Sequence, residues 1–227
     1  MAQSQKHIVI FSHGFGVRWG DRGLFSDIAA SLPDVEPVLF DYNEVNEAAN
    51  TLTVRPFSEQ AELFKKTLED ARRKDANAII DVICHSQGAL PVALAKPEGI
   101  RTTILLAPSF TNDTQRMVLQ FENRPGTEIN LKGISKLARA DGSTTIVPAE
   151  YWAERARTEP VDLYNALADH TELVIIIAKQ DEILGHHDVE GLNEKITIKE
   201  LDGAHSFAGE PRKILIKELE AVLRIGE

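Results

Sequence analysis

Three residue types that together perform nucleophilic catalysis follow three separate apolar strands of this 227-residue chain. Ser86 stands in C-H-S-Q-G, Asp181 in K-Q-D-E-I and His205 in D-G-A-H-S-F. A serine hydroxyl is a weak nucleophile until a histidine accepts its proton, and a carboxylate must orient that histidine. Because the carboxyl ends of parallel strands meet at one edge of a sheet, we expect these side chains to lie together there. The sequence therefore predicts a nucleophile, a base and an orienting acid.

Each of these residues also has a structural interpretation. A serine after an apolar strand is commonly a helix N-cap, and Asp181 could cap a helix near Val189 or pair with a lysine. Rival residues for the acid and the base lie close by in the sequence: Glu182, His186 and His187. The two histidines followed by Asp188 also suggest a metal site, but adjacent residues do not easily converge on one ion, so we expect no metal.

Other reactive residue types near these motifs are expected to have structural roles. We expect His13 to support its own loop by hydrogen bonding, and His85 to pack beside the nucleophile. Cys84 ends a buried strand and is interpreted as an inert thiol. Trp19 and Trp152 either line a substrate pocket or pack in the core.

Short β-branched runs alternate with helical patterns, which predicts a mainly parallel, doubly wound sheet covered by helices. The predicted strands are His7–Ser12, Pro37–Tyr42, Ala78–Cys84, Arg101–Ala107, Leu173–Ala178 and Lys195–Leu201. The predicted helices are Gly23–Ser31, Ser58–Lys74 with Ser58 as N-cap, Gln87–Lys96, Val161–His170, Val189–Asn193 and Pro211–Ile225. The strand-to-helix turn at Ser86 and the strand ends before Asp181 and His205 then fall at one edge of this sheet.

One interval is too long for an ordinary connection between a strand and a helix. It runs from Thr111 to Glu159 and contains a predicted hairpin, Ser135 to Pro148, with an Asp141-Gly142 turn. We expect a single domain, residues 1–227, in which residues 111–159 form a lid over one end of the sheet.

Bulk composition restricts the partners and the compartment. With 35 acidic against 25 basic residues and a net charge of -10, nucleic acid and anionic membranes are not expected partners. The one cysteine excludes an internal disulfide framework, and the N-terminus has no signal-peptide pattern, so we expect a cytoplasmic protein.

The order serine, acid, histidine and the motif C-H-S-Q-G resemble the α/β-hydrolase superfamily, whose nucleophile elbow reads G-x-S-x-G. Cys84 replaces the first glycine of that motif and is small enough for the sharp turn. The resemblance implies an oxyanion hole formed by the backbone N–H groups of Phe15, after His13-Gly14, and Gln87. It also implies hydrolysis of esters, thioesters or amides with no metal or organic cofactor.

The hairpin and the following A-E-Y-W-A-E-R and D-L-Y-N-A-L-A resemble the inserted lid of bacterial cinnamoyl and feruloyl esterases. The predicted function is therefore cleavage of a small-molecule carboxylic ester through an acyl-enzyme. The alternatives are a thioesterase or peptidase of the same fold, and a non-catalytic member that binds a small molecule.

Overall fold

A computed structural model describes residues 5–185 and 189–225. The strands are β1 (His7–Ser12), β2 (Glu36–Leu39), β3 (Glu44–Asn46), β4 (Thr51–Thr53), β5 (Ile79–His85), β6 (Thr102–Leu106), β7 (Ser135–Ala138), β8 (Thr144–Val147), β9 (Glu172–Ala178) and β10 (Thr197–Leu201). The helices are α1 (Leu24–Ser31), α2 (Phe57–Lys74), α3 (Ala89–Ala95), α4 (Thr114–Leu119), α5 (Ala149–Arg155), α6 (Pro160–Leu167) and α7 (Glu210–Val222).

Six strands form a parallel sheet in the order β10-β9-β6-β5-β1-β2. They are the six strands that the sequence predicts, with ends moved by a few residues at most. The central strands β1, β5, β6 and β9 are buried on both faces, which explains their continuous apolar runs. All six strands end at the same edge, called here the carboxyl edge.

Helices cover both faces of this sheet, as the alternating pattern predicts. One face packs against α2, α3 and α6 through residues such as Phe64, Leu90 and Tyr164. The other face packs against α1 and α7 through Phe25, Ile28 and Leu219. The rigid, two-sided core fixes the directions in which β5, β9 and β10 deliver their following loops to the carboxyl edge.

Two predictions about the helices are wrong. Residues Val189–Asn193 form turns because Gly191 has a φ of 82°, and its carbonyl accepts a hydrogen bond from the Asn165 side chain at 2.8 Å. Ser58 is not an N-cap, since α2 begins at Phe57 after Pro56. Instead the Ser58 hydroxyl and N–H donate to the Glu154 carboxylate at 2.6 and 2.9 Å.

The predicted hairpin is present as β7 and β8, but it belongs to a second sheet. That sheet has the order β3-β4-β8-β7, in which β4 and β8 run parallel and the other two pairs antiparallel. The strands β3 and β4 precede α2 and were not predicted from the sequence. Residues 111–159 are therefore joined to residues 44–53 by strand pairing.

Candidate active site

Ser86 lies in a sharp turn between β5 and α3. Its φ of 54° is in the left-handed region, which a non-glycine residue adopts at a cost in free energy. The turn demands glycine at position 88, where an added Cβ would lie 2.3 Å from the Ser12 carbonyl oxygen and 2.5 Å from that of His13. Cys84, at the position where the family motif has its first glycine, is fully buried in the core at the end of β5. The turn therefore tolerates a thiol at position 84 but no side chain at position 88.

Two hydrogen bonds join the three predicted residues at the carboxyl edge. His205 Nε2 lies 2.9 Å from Ser86 Oγ, and His205 Nδ1 lies 2.7 Å from Asp181 Oδ2. Because an ionised carboxylate only accepts, Nδ1 carries the proton and Nε2 accepts from the serine hydroxyl. Asp181 and His205 are both buried, which shields this chain of hydrogen bonds from water.

The acid and its rival neighbour occupy different positions. Asp181 Oδ1 accepts the backbone N–H groups of Ile183 and Leu184 at 2.9 and 2.7 Å, which holds its carboxylate in the orientation that His205 requires. Glu182 turns away from the imidazole and accepts the backbone N–H of His205 at 2.9 Å. Glu182 thus anchors the histidine loop, while Asp181 contacts the ring.

His85 packs against the imidazole of His205, with ring centroids 4.8 Å apart. Its Nε2 lies 2.9 Å from the His205 carbonyl oxygen, to which it donates. Burial, and then the nearby His205, lower the pKa of His85 to about 3. A neutral His85 adds no positive charge beside His205 and fixes the loop that carries it.

His13 has the supporting role that the sequence indicates. Its Nε2 accepts the backbone N–H of Tyr42 at 2.9 Å, so Nδ1 donates to the Gly14 carbonyl at 2.9 Å. Burial lowers the pKa of His13 and favours this neutral form. The imidazole thereby fixes the loop H-G-F-G that follows β1.

That loop lies directly against the serine. A Cβ added to Gly14 would be 3.1 Å from Ser86 Cβ and 3.6 Å from Ser86 Oγ. The next residue is Phe15, whose backbone N–H donates no hydrogen bond to any other described residue. Gln87, the other residue predicted to supply an N–H, is the second residue of the 3₁₀ turn Ser86–Gly88 that leads into α3. Both predicted donors therefore belong to segments that contact Ser86.

Sequence reasoning missed the residues that hold the Gln87 side chain. Its Oε1 accepts a short hydrogen bond from the hydroxyl of Tyr151 and lies 3.5 Å from Nη1 of the buried Arg155. Tyr151 also packs against Phe15, with centroids 5.4 Å apart. Both partners come from α5, more than sixty positions away, and A-E-Y-W-A-E-R carries no signal that pairs it with the elbow.

The remaining candidates are placed as follows. Trp152 is buried and donates to Ser135 Oγ at 3.1 Å, which assigns it to packing. His186 and His187 lie outside the described residues, as does Asp188. Within residues 5–185 and 189–225, no group of three or more His, Cys, Asp or Glu side chains could hold a metal ion. The helices of those residues also lack the length and apolar character of a membrane span.

Neither a protein-family model nor a curated protein sequence matches this chain. Solved structures resemble it over nearly its whole length. Est1E from Butyrivibrio proteoclasticus with bound ferulic acid has 16% identity and a TM-score of 0.73, covering 99% of this chain and 91% of that one. The α/β-hydrolase GrgF from a Penicillium species has 14% identity and a TM-score of 0.70, covering 98% and 91%. An esterase domain from Rhodothermus marinus has 14% identity and a TM-score of 0.67, covering 98% and 89%. The chain has the α/β-hydrolase fold.

Proposed function

We propose that this protein is a serine hydrolase that cleaves carboxylic esters through an acyl-enzyme, with Ser86, His205 and Asp181 as its catalytic residues. The observation that carries the proposal is the pair of hydrogen bonds from Ser86 Oγ to His205 and from His205 to Asp181, at 2.9 and 2.7 Å. The left-handed backbone of Ser86 adds support, because strained conformations of this kind cluster at functional sites.

The reaction follows from the direction of these hydrogen bonds. Ser86 Oγ attacks the ester carbonyl while His205 Nε2 takes the hydroxyl proton, and Asp181 stabilises the imidazolium that forms. The tetrahedral intermediate collapses to an acyl-serine as His205 returns the proton to the departing alcohol. A water molecule, activated by the same nitrogen, then releases the acid and restores the hydroxyl of Ser86.

The negative charge on the tetrahedral intermediate requires fixed donors, and we assign this role to the backbone N–H groups of Phe15 and Gln87. Such a donor typically contributes about 10²- to 10³-fold in kcat. A Cβ added to Gly14 would lie 3.1 Å from Ser86 Cβ, so the backbone just before Phe15 lies against the serine. This contact supports the N–H of Phe15 as one of the donors. The contacts of Gln87 with Tyr151 and Arg155 support a rigid elbow.

The nature of the substrate is argued from the similar structures. They include an esterase domain, Est1E with ferulic acid bound, and a metagenome-derived lipolytic enzyme, all with TM-scores of 0.64 or more. Carboxylic ester hydrolysis is therefore the chemistry that we place above thioester or amide hydrolysis. Residues 111–159 supply Tyr151 and Phe121, which both pack on the Phe15 ring, and we propose that this segment covers the acyl site.

Hydrolysis of 4-nitrophenyl acetate and butyrate tests the proposal. Ser86→Ala should lower kcat by about 10⁴- to 10⁶-fold, because triad residues act as a unit. Ser109→Ala is the matched control, since Ser109 is also buried near the carboxyl edge but its hydroxyl donates to the Thr111 carbonyl at 2.9 Å. A Ser86→Ala variant that keeps more than about a tenth of the activity, or a wild-type protein that turns over neither ester, contradicts the proposal.

A further inference from the structure

Arg139 lies beside the loop that contacts Ser86. Its backbone closes the β7–β8 turn, with Arg139 N donating to Ser143 O at 3.0 Å. Its guanidinium lies over Gly16, where an added Cβ would be 3.1 Å from Arg139 Nη1. Gly16 is two residues after Gly14, which itself lies against Ser86. The guanidinium of Arg139 therefore lies against the H-G-F-G loop, whose Gly14 contacts Ser86.

A second arginine, Arg22, stands on the side of the His205 loop. Its carbonyl oxygen accepts from Arg212 Nη1 at 3.3 Å, and Arg212 Nη2 donates to the carbonyl of Ser206 at 2.8 Å. One guanidinium thus bridges the Arg22 backbone to the residue after His205. Arg22 has a φ of 59°, and its side chain is exposed. The loop before α1 is therefore joined through Arg212 to the loop that carries His205.

Among the described residues, neither arginine forms an ion pair with a carboxylate. Salt bridges within 4.0 Å are formed by other cations nearby, such as Arg18 with Asp21 and Arg212 with Asp27, but not by Arg22 or Arg139. Burial and the charge of Arg22 both lower the pKa of Arg139, and Arg22 also contributes to the lowered pKa of His85. The carboxylates of Asp141 and Asp21 act in the opposite direction on the pKa of Arg139 and only partly offset this lowering.

Two acids that act on Arg139, Asp21 and Asp141, accept hydrogen bonds from other residues. Asp21 Oδ2 accepts the backbone N–H of Arg18 at 2.8 Å. Asp141 Oδ1 accepts both the N–H and the hydroxyl of Ser143, at 2.9 and 2.6 Å. In a chain with a net charge of -10, Arg139 and Arg22 are two cations without a salt bridge among the described residues, on or beside the loops that carry Gly14 and His205. Clustered cations raise the local concentration of anions.

We propose that the ester substrate carries an anionic oxyacid group, a carboxylate or a phosphate, which Arg139 and Arg22 bind while Ser86 attacks the ester carbonyl. This inference rests on the proposed function and names the substrate class of the same site. A guanidinium presents a planar fork of donors that matches both groups and remains charged when partly buried. The anion would supply the ion-pair partner that neither arginine has among the described residues.

Esters that carry either an anionic or a neutral group at a corresponding position test this inference. The alcohol-side probes are 4-acetoxybenzoate and 4-acetoxyphenyl phosphate against the neutral 4-acetoxybenzamide. The acyl-side probe is the mono-4-nitrophenyl ester of adipic acid against its terminal carboxamide. For at least one anionic probe, wild-type kcat/KM should exceed that of the neutral partner by about tenfold or more, the effect of one charge-assisted hydrogen bond. The preferred probe distinguishes carboxylate from phosphate and the acyl side from the alcohol side.

The variants locate the preference. Arg139→Gln should bring the anionic-to-neutral ratio of kcat/KM close to one, Arg22→Gln should lower it, and Arg139→Lys should keep part of it. Lys136→Gln is the matched control, because Lys136 lies on β7 of the same hairpin but is exposed and pairs with Glu128 at 3.1 Å. Its ratio should equal that of the wild type.

The outcomes separate this inference from the proposed function. The anion site is wrong if the neutral esters are hydrolysed in a Ser86-dependent reaction but no anionic probe is preferred. It is also wrong if the preference survives Arg139→Gln and Arg22→Gln. In both cases the proposed esterase activity is still supported. If no probe of either charge is hydrolysed, the proposed function itself is contradicted, and the inference falls with it.

Discussion

Replacing Asp181 by asparagine changes the acid while keeping its shape. The Asn Oδ1 can still accept the N–H groups of Ile183 and Leu184, as Asp181 Oδ1 does at 2.9 and 2.7 Å. The amide Nδ2 then faces His205 Nδ1, where the wild-type carboxylate oxygen lies at 2.7 Å. Two donors cannot face each other, so His205 must move its proton to Nε2. That nitrogen then points an N–H at Ser86 Oγ and cannot accept the serine proton.

The expected loss in kcat for activated esters is about 10⁴-fold, the cost of the wrong tautomer in a triad of this kind. The assay is 4-nitrophenyl butyrate turnover, with circular dichroism to show that the variant is folded. Glu182→Gln is the control, because its amide oxygen can still accept the His205 N–H and the expected loss is a few-fold at most. The assignment of Asp181 is refuted if Asp181→Asn keeps more than about a tenth of wild-type kcat, or if Glu182→Gln is the more damaging change.

Three further predictions concern stability. Gly88→Ala should destabilise the fold by about 1 to 3 kcal/mol in urea unfolding, because its Cβ would lie 2.3 Å from a backbone oxygen. Gly20→Ala is the control and should have little effect, since there is open space around Gly20. Equal unfolding midpoints of the two variants would contradict the close packing at the elbow. Ser86→Gly should be about 1 kcal/mol more stable than Ser86→Ala, since glycine relieves the backbone strain; a less stable Ser86→Gly would show that no strain is stored there. Burial lowers the pKa of His85 to about 3 in the folded state, below its unfolded value. Because the unfolded state then binds the extra proton, the free energy of unfolding should fall as the pH drops below about 6.5, by about 2 kcal/mol at pH ~5. His85→Gln should remove this part of the acid sensitivity, and an unchanged dependence of unfolding free energy on pH would contradict its burial as a neutral ring.

The main sheet was predictable from local sequence signals, and so was the placement of Ser86, Asp181 and His205 close together at its carboxyl edge. Long apolar runs such as that of β9 require a strand buried on both faces, and parallel strands deliver their following residues to one edge. The turn at Ser86 was predictable because a glycine follows two residues later. The catalytic roles of Ser86, Asp181 and His205, and of the Phe15 and Gln87 N–H groups, remain predictions.

The second sheet and the supporting contacts had no comparable signal. The strands Glu44–Asn46 and Thr51–Thr53 have three residues each and are exposed or half-buried, so they show no apolar alternation. The contact of Tyr151 with Gln87 joins residues 64 positions apart, and only the folded chain brings them together. The prediction of Ser58 as an N-cap was wrong for a related reason. Ser58 instead donates its hydroxyl and N–H to the carboxylate of Glu154, which is distant in the sequence and which the local pattern does not indicate.

Trapping the acyl-enzyme tests the central claim most directly. The wild-type protein, mixed with excess 4-nitrophenyl butyrate and quenched in acid within the first turnovers, should carry one butyryl group, and peptide mass spectrometry should place it on Ser86. The His205→Ala and Asp181→Asn variants should acquire it far more slowly, and Ser86→Ala should not acquire it at all. A mechanism through Ser86 would be contradicted if the wild-type protein turned over the ester with no adduct and no burst of 4-nitrophenol. An adduct on another residue would contradict it as well.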